Sequence, residues 1–95
     1  MFDVRKTPEF QSWLTDLRDQ RAVARIATRI ARVEAGLMGD VKYFGGIGEL
    51  RIDYGPGYRV YFTKRGQTII ILLSGGDKSS QRRDIKRAAT MAQEV

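Results

Sequence analysis

Five side chains in the second half of the chain carry most of the chemistry that this sequence offers. Glu49, Arg51, Arg59 and Tyr61 fall at alternate positions of two short segments, Glu49-Leu-Arg-Ile-Asp-Tyr54 and Tyr58-Arg-Val-Tyr-Phe62, and Lys78 follows a third, aliphatic segment. Alternation with a period of two is strand patterning, and Gly55-Pro56-Gly57 between the segments supplies a turn, so the pair reads as a β-hairpin. Strand parity puts Leu50, Ile52, Tyr54, Tyr58, Val60 and Phe62 on one face. Glu49, Arg51, Asp53, Arg59, Tyr61 and Thr63 share the other. Guanidinium groups bind planar anions bidentately, so two arginines on one surface with a lysine at its rim suit a phosphodiester that gains negative charge as it reacts. Cleavage of RNA by its own 2′-hydroxyl also needs a base and a proton donor. The chain contains no histidine and no cysteine. Lys78, Tyr61 and Glu49 therefore remain as candidates for proton transfer, and the sequence does not rank them. Glu49 has a structural reading as well, a salt bridge to Arg51 or Arg59 worth ~0.2–1 kcal/mol.

The composition fits that surface. Of the 95 residues, seventeen are Lys or Arg and eleven Asp or Glu, which leaves a formal net charge of +6. Twelve of the cations are arginines. A polyanionic partner is the first expectation, nucleic acid ahead of an acidic protein and an anionic membrane last. Without cysteine there is no disulfide framework, thiolate nucleophile or cysteine metal site, and no metal or cofactor is expected. Ninety-five residues suit one domain. The N-terminal residues lack an apolar signal core and Ile69–Leu73 is too short to span a bilayer, so the cytoplasm is the expected compartment and no membrane partner is expected.

The elements that must position these residues can be read in order. Phe2–Arg5 alternates as a strand does. Thr7-Pro8 is a helix start, followed by Phe10, Trp13, Leu14 and Leu17 on one face, with Trp13 a core anchor. Asp19 caps a second helix that ends near Gly36; Val23, Ile26, Ala27, Ile30 and Val33 form its apolar face, and Arg21, Arg25, Arg29 and Arg32 the opposite one. That arginine stripe is a solvated face, a track for a phosphate backbone or a dock for an acidic segment. Residues 36–48 read as a glycine-rich connection that carries Lys42 and lacks the pattern of a phosphate-binding P-loop. After the hairpin, Thr68–Leu73 reads as a strand buried on both faces, ending where Gly75-Gly76-Asp77-Lys78 releases the chain. Ser79 or Ser80 then caps a last helix. Its thin apolar stripe is Ile85, Ala88, Ala89 and Ala92, and Arg82, Arg83, Lys86 and Arg87 make the rest basic. With so little to bury, it is expected to be the least stable element, with Asp77 and Asp84 bracing its start. The expected class is α+β: an N-terminal strand at the sheet edge, a helical hairpin, three antiparallel strands and a C-terminal helix.

That order, together with Glu-Leu-Arg-Ile-x-Tyr-Gly-Pro-Gly-Tyr-Arg-Val-Tyr-Phe at 49–62 and Gly-Gly-Asp-Lys-Ser-Ser-Gln-x-x-Asp-Ile at 75–85, resembles the RelE/ParE superfamily of type II toxins, in the HigB-like addiction module killer branch. The resemblance spans nearly the whole chain. It implies a RelE-like fold and a metal-independent endoribonuclease (an mRNA interferase) that cleaves mRNA in the decoding site of the ribosome and is blocked by a helix-turn-helix, HigA-like antitoxin. By motif position it implies that Arg59 is the arginine directed at the scissile phosphate and Arg51 the basic residue of the preceding strand. Lys78 stands near where several relatives carry histidine or tyrosine, a departure that leaves the general acid and base unassigned. Arg21, Arg25, Arg29, Arg32, Lys42, Arg82 and Arg83 are the expected contacts to RNA or ribosome. Two competing readings use the same scaffold: a ParE-like toxin that binds gyrase without cleaving RNA, and a plain nucleic-acid-binding module.

Overall fold

Thr7 starts the first helix as its neighbours suggest: its hydroxyl accepts the Phe10 amide at 3.1 Å, with Pro8 in the first turn. Asp19 does the same for the second, accepting the amides of Arg21 and Ala22. In a computed structural model that describes residues 1–95, these local signals lie within nine elements. They are β1 (Asp3–Lys6), α1 (Pro8–Asp16), α2 (Gln20–Glu34), β2 (Val41–Phe44), β3 (Ile47–Ile52), β4 (Tyr58–Arg65), β5 (Ile69–Asp77), a 3-10 turn (Lys78–Ser80) and α3 (Gln81–Glu94). The strands form one sheet in the order β1-β5-β4-β3-β2. β1 is parallel to β5 at the edge and the other pairs are antiparallel, which is the expected α+β class.

Both faces of the sheet are covered. Phe10 of α1 and Ile26, Ile30 and Val33 of α2 pack on Leu50, Ile52, Val60, Phe62, Ile70 and Leu72. On the other face Ala88, Met91 and Ala92 of α3 pack on Ile47, Tyr61 and Leu73. Strand parity thus sorts Leu50, Ile52, Val60 and Phe62 correctly, and β5 has apolar partners on both sides.

Several expectations are corrected. The glycine-rich connection contains a strand, β2, paired with β3 through a turn at Gly45-Gly46; flanking glycines and the absence of apolar–polar alternation in Val41-Lys-Tyr-Phe44 masked it. β3 begins at Ile47 and ends at Ile52, leaving Asp53 and Tyr54 in the turn. β5 continues to Asp77 because its two glycines leave room for neighbours: a Cβ at Gly75 would overlap the Trp13 ring, and one at Gly76 the Asp84 carboxylate. On α2, Ala22 is buried and Ala27 exposed. The stripe of α3 uses Met91 where Ala89 was expected, and Ala89 faces solvent. The larger methionine gives α3 more to bury than the four-residue stripe suggests. Arg65 ties down its far end by donating to the carbonyls of Ala92 and Val95.

A β-bulge sets which β5 side chains meet α3. Tyr61 stands opposite Ser74 but Phe62 opposite Leu72, so Leu73 is the extra residue. The Thr7 hydroxyl donates to the Leu73 carbonyl at 2.7 Å, satisfying a group at the irregularity.

Candidate functional site: a basic cleft at the hairpin turn

The turn between β3 and β4 is built as the Gly-Pro-Gly sequence requires. Gly55 and Gly57 take φ of 57° and 80°, and the Gly57 amide donates to the Tyr54 carbonyl. α2 clamps the tip: Tyr54 donates its hydroxyl to Asp19 at 2.9 Å, and the Arg25 guanidinium lies 4.7 Å over the Tyr54 ring. The Asp19 carboxyl is held below its ordinary value, chiefly by the Tyr54 hydrogen bond.

Beside this turn is a cleft of about 410 Å³ walled by Asp40, Arg51, Asp53, Arg59, Lys78 and the turn glycines. Arg51, Arg59 and Lys78, expected on one surface, therefore do line one cavity. Their surroundings differ. Arg51 donates to Asp40 Oδ1 through Nη2 at 2.9 Å and Nε at 3.2 Å, and that carboxylate pushes the guanidinium pKa up. Arg59 is only 12% exposed, its Nε lying 3.9 Å from Glu49 Oε1 and its Nη1 directed at the Tyr58 carbonyl. A Cβ on Gly57 would sit 3.5 Å from Lys78 Cβ and 3.7 Å from Arg59 Nη1, so this glycine lies between the base of the Lys78 side chain and the Arg59 guanidinium. Lys78 is exposed at the rim and follows Asp77, whose carboxylate accepts from the Ser79 amide and hydroxyl and is lowered by those bonds.

Glu49 and Tyr61 depart from the expected open basic face. Both are fully buried, because α3 lies over this half of the sheet. Glu49 Oε2 accepts from Gln81 Nε2 at 2.8 Å. Burial, reinforced by the Glu49 charge, pushes the Tyr61 phenol up. Its hydroxyl lies near enough to Glu49 for that carboxylate to contribute to the rise, yet makes no hydrogen bond of regular geometry, and Glu49 Oε1, Arg59 Nε and Ser74 Oγ share that condition. Of the two salt-bridge partners open to Glu49 in the sequence, the structure selects Arg59.

The seven arginines and lysines expected to contact RNA or ribosome do not converge. Arg21, Arg25, Arg29 and Arg32 line a separate groove of about 670 Å³ against Ile52 and Asp53. Arg29 is engaged there, donating to the carbonyls of Met38, Asp40 and Arg51, and burial lowers its pKa. Lys42 lies on the edge strand, 5.2 Å over the Phe44 ring. Arg82 and Arg83 stand at the start of α3 beside Lys86, outside the cleft. No group of three or more Asp or Glu side chains is placed to hold a metal ion. Two residues of the site were not singled out in the sequence. Gln81 lay within the recognised Gly-Gly-Asp-Lys-Ser-Ser-Gln segment, whereas nothing local marked Asp40, whose partner Arg51 is eleven residues away.

Fold and site define a class: an α+β protein whose mixed sheet is covered on both faces and carries an arginine- and lysine-lined cleft at one end. The chain is 50% identical over 93 residues to an uncharacterized protein of Haemophilus influenzae, across 97% of this chain and 94% of that protein, and belongs to the same family as that protein. No protein-family model matches it. No solved structure matches it either. No helix is long and apolar enough to cross a membrane.

Proposed function

We propose that this chain is the toxin of a type II toxin–antitoxin module of the RelE/ParE, HigB-like kind, a cytoplasmic, ribosome-dependent endoribonuclease held in check by a helix-turn-helix antitoxin. The observation that supports this reading is the meeting of Arg51, Arg59 and Lys78 in one cleft. An mRNA phosphate in the cleft meets the outer edge of Arg59, while Arg51 is free to join it once Asp40 yields. The 2′-oxygen bonds to phosphorus as the P–O5′ bond breaks, giving a 2′,3′-cyclic phosphate and a 5′-hydroxyl, and arginine charge stabilises the crowded phosphorane. The 2′-hydroxyl proton must leave and one must reach the 5′-oxygen. Lys78 is the exposed candidate to give a proton to the 5′-oxygen, since Glu49 and Tyr61 lie beneath α3, and the 2′-hydroxyl proton passes to solvent, from which Lys78 regains its own. Orientation of the backbone by the ribosome supplies a further part of the rate.

The burial of Glu49 and Tyr61 also favours a second reading, a gyrase-binding toxin that performs no proton transfer. Primer extension on transcripts after brief induction separates the two. Transcript ends that appear with the wild type and vanish with Arg59→Ala are the expected result. Growth arrest with intact transcripts and relaxed plasmid DNA would instead establish the gyrase reading.

A further inference from the structure

The polar atoms beneath α3 are arranged around one arginine. The Glu49 carboxylate is completely buried, its Oε2 held by Gln81 and its Oε1 facing Arg59 Nε across 3.9 Å. A buried carboxylate needs an opposite charge nearby, and Arg59 is the cation the fold brings to it. The guanidinium is thus two-sided. Its Nε edge lies inside, without a hydrogen bond, while Nη1 donates to the Tyr58 carbonyl beside Gly57, where the guanidinium borders the cleft. Replacing a buried ion pair by apolar groups is often neutral or stabilising, so stability alone gives no reason for a carboxylate here. What the pair does supply is a fixed guanidinium plane. An arginine with free torsions binds a phosphate in many poses, and one held by the Glu49 charge at Nε and the Tyr58 carbonyl at Nη1 presents its outer edge in few.

We propose that Glu49 is a positioning residue, seated by Gln81, that orients the outer edge of Arg59 toward a phosphodiester in the cleft. The assignment rests on the reading that Arg59 engages the scissile phosphate. It removes Glu49 from the candidates for proton transfer, because a fully buried carboxylate already shared between Gln81 and Arg59 does not reach the 2′-hydroxyl. The 3.9 Å separation is a charge contact in the free protein, and such contacts commonly tighten when the reacting ligand arrives.

The test is Glu49→Gln, which keeps size and removes charge, measured beside Arg59→Ala. Two readouts are taken: cleavage of a defined mRNA on translating ribosomes, and hydrogen exchange of the Arg59 Nε–H by NMR with labelled arginine. Glu49→Gln is expected to lower kcat by about 10²-fold with KM unchanged, as a misplaced group does. Its Arg59 Nε–H is expected to lose more protection than the β4 backbone amides do, beyond the general loss that follows the lower Tm of a chain whose buried arginine has lost its counter-charge. Wild-type kcat and exchange in Glu49→Gln, with Arg59→Ala inactive, would overturn the positioning role and leave the nuclease reading intact. Full activity in Arg59→Ala would end both. If Glu49→Gln does not fold, Gln81→Ala decides: a smaller kcat loss with faster Nε–H exchange supports the proposal, and wild-type values in both sink it.

Discussion

Arg51 and Arg59 stand directly opposite each other on β3 and β4, and each is paired with a different carboxylate. Like charges at facing strand positions are destabilising, so this arrangement holds only because Asp40 meets Arg51 from one side and Glu49 meets Arg59 from beneath. The two pairs are unequal. Asp40 and Arg51 are both partly exposed, while Glu49 and Arg59 are desolvated. An incoming anion can therefore displace Asp40, whereas Glu49 stays.

Asp40 competes with any anion for Arg51. Asp40→Asn is expected to bind a short RNA about two- to fivefold more tightly, the scale of a surface pair, and to lose no more than about 1 kcal/mol of stability as Arg51 faces Arg59 without its counter-charge. Fluorescence anisotropy at fixed ionic strength measures this, and equal affinity would mean that Arg51 does not touch the ligand.

Tyr61 buries a hydroxyl that makes no regular hydrogen bond and has only Glu49 beside it, so Tyr61→Phe is expected to stay within about 1 kcal/mol of wild type at pH 7, measured by urea unfolding. Its raised pKa also sets an alkaline limb. In the unfolded chain the phenol ionises near its ordinary 10.0, and in the folded protein only above that, so stability is full below pH 10 and falls as pH rises beyond it. Tyr61→Phe should flatten that limb. The variant should also keep its cleavage activity, since a proton-transfer role for Tyr61 would make it inactive.

The four arginines of α2 should separate by energy. Arg29 donates to three backbone carbonyls, so Arg29→Ala is expected to cost about 1–3 kcal/mol in urea unfolding. Arg21→Ala and Arg32→Ala, on exposed side chains, should stay within about 0.5 kcal/mol of wild type. A loss of RNA affinity in these two with Arg59 intact would identify the α2 groove as a second contact.

Gly75 has no space for a side chain because Trp13 covers it. Gly75→Ala should cost about 1–3 kcal/mol through overpacking. With ~4–8 °C per kcal/mol in a domain of this size, the drop in Tm is easily read. Trp13 is the chain's one tryptophan, so its fluorescence should shift in the folded variant and report the displacement directly.

Much of this architecture was legible in the residues. Thr7-Pro8 and Asp19 marked helix starts because capping is a local bond, and Gly55-Pro56-Gly57 marked the hairpin because left-handed φ is cheap only for glycine. Alternation identified the faces of Leu50, Ile52, Val60 and Phe62, and the same parity grouped Arg51 with Arg59. β2 was hidden by the glycines on either side of it and by its lack of alternation, and the bulge at Leu73 left no pattern to read, since one inserted residue has no period.

The sequence by itself determined which residues share a sheet face, where the chain turns, and that arginines and a lysine would gather near the hairpin. Only the tertiary structure decided which of them remain accessible. Periodicity reports that Glu49, Arg51, Arg59 and Tyr61 point the same way, but it carries nothing about what lies above them. α3, which begins only at Gln81, buries Glu49 and Tyr61 and leaves Arg51 and Lys78 at the opening, and Asp40 reaches Arg51 from a separate loop. Burial and charge pairing depend on contacts between segments far apart in the chain, so the split between cations that face a ligand and groups that hold them appears only when the helix is in place.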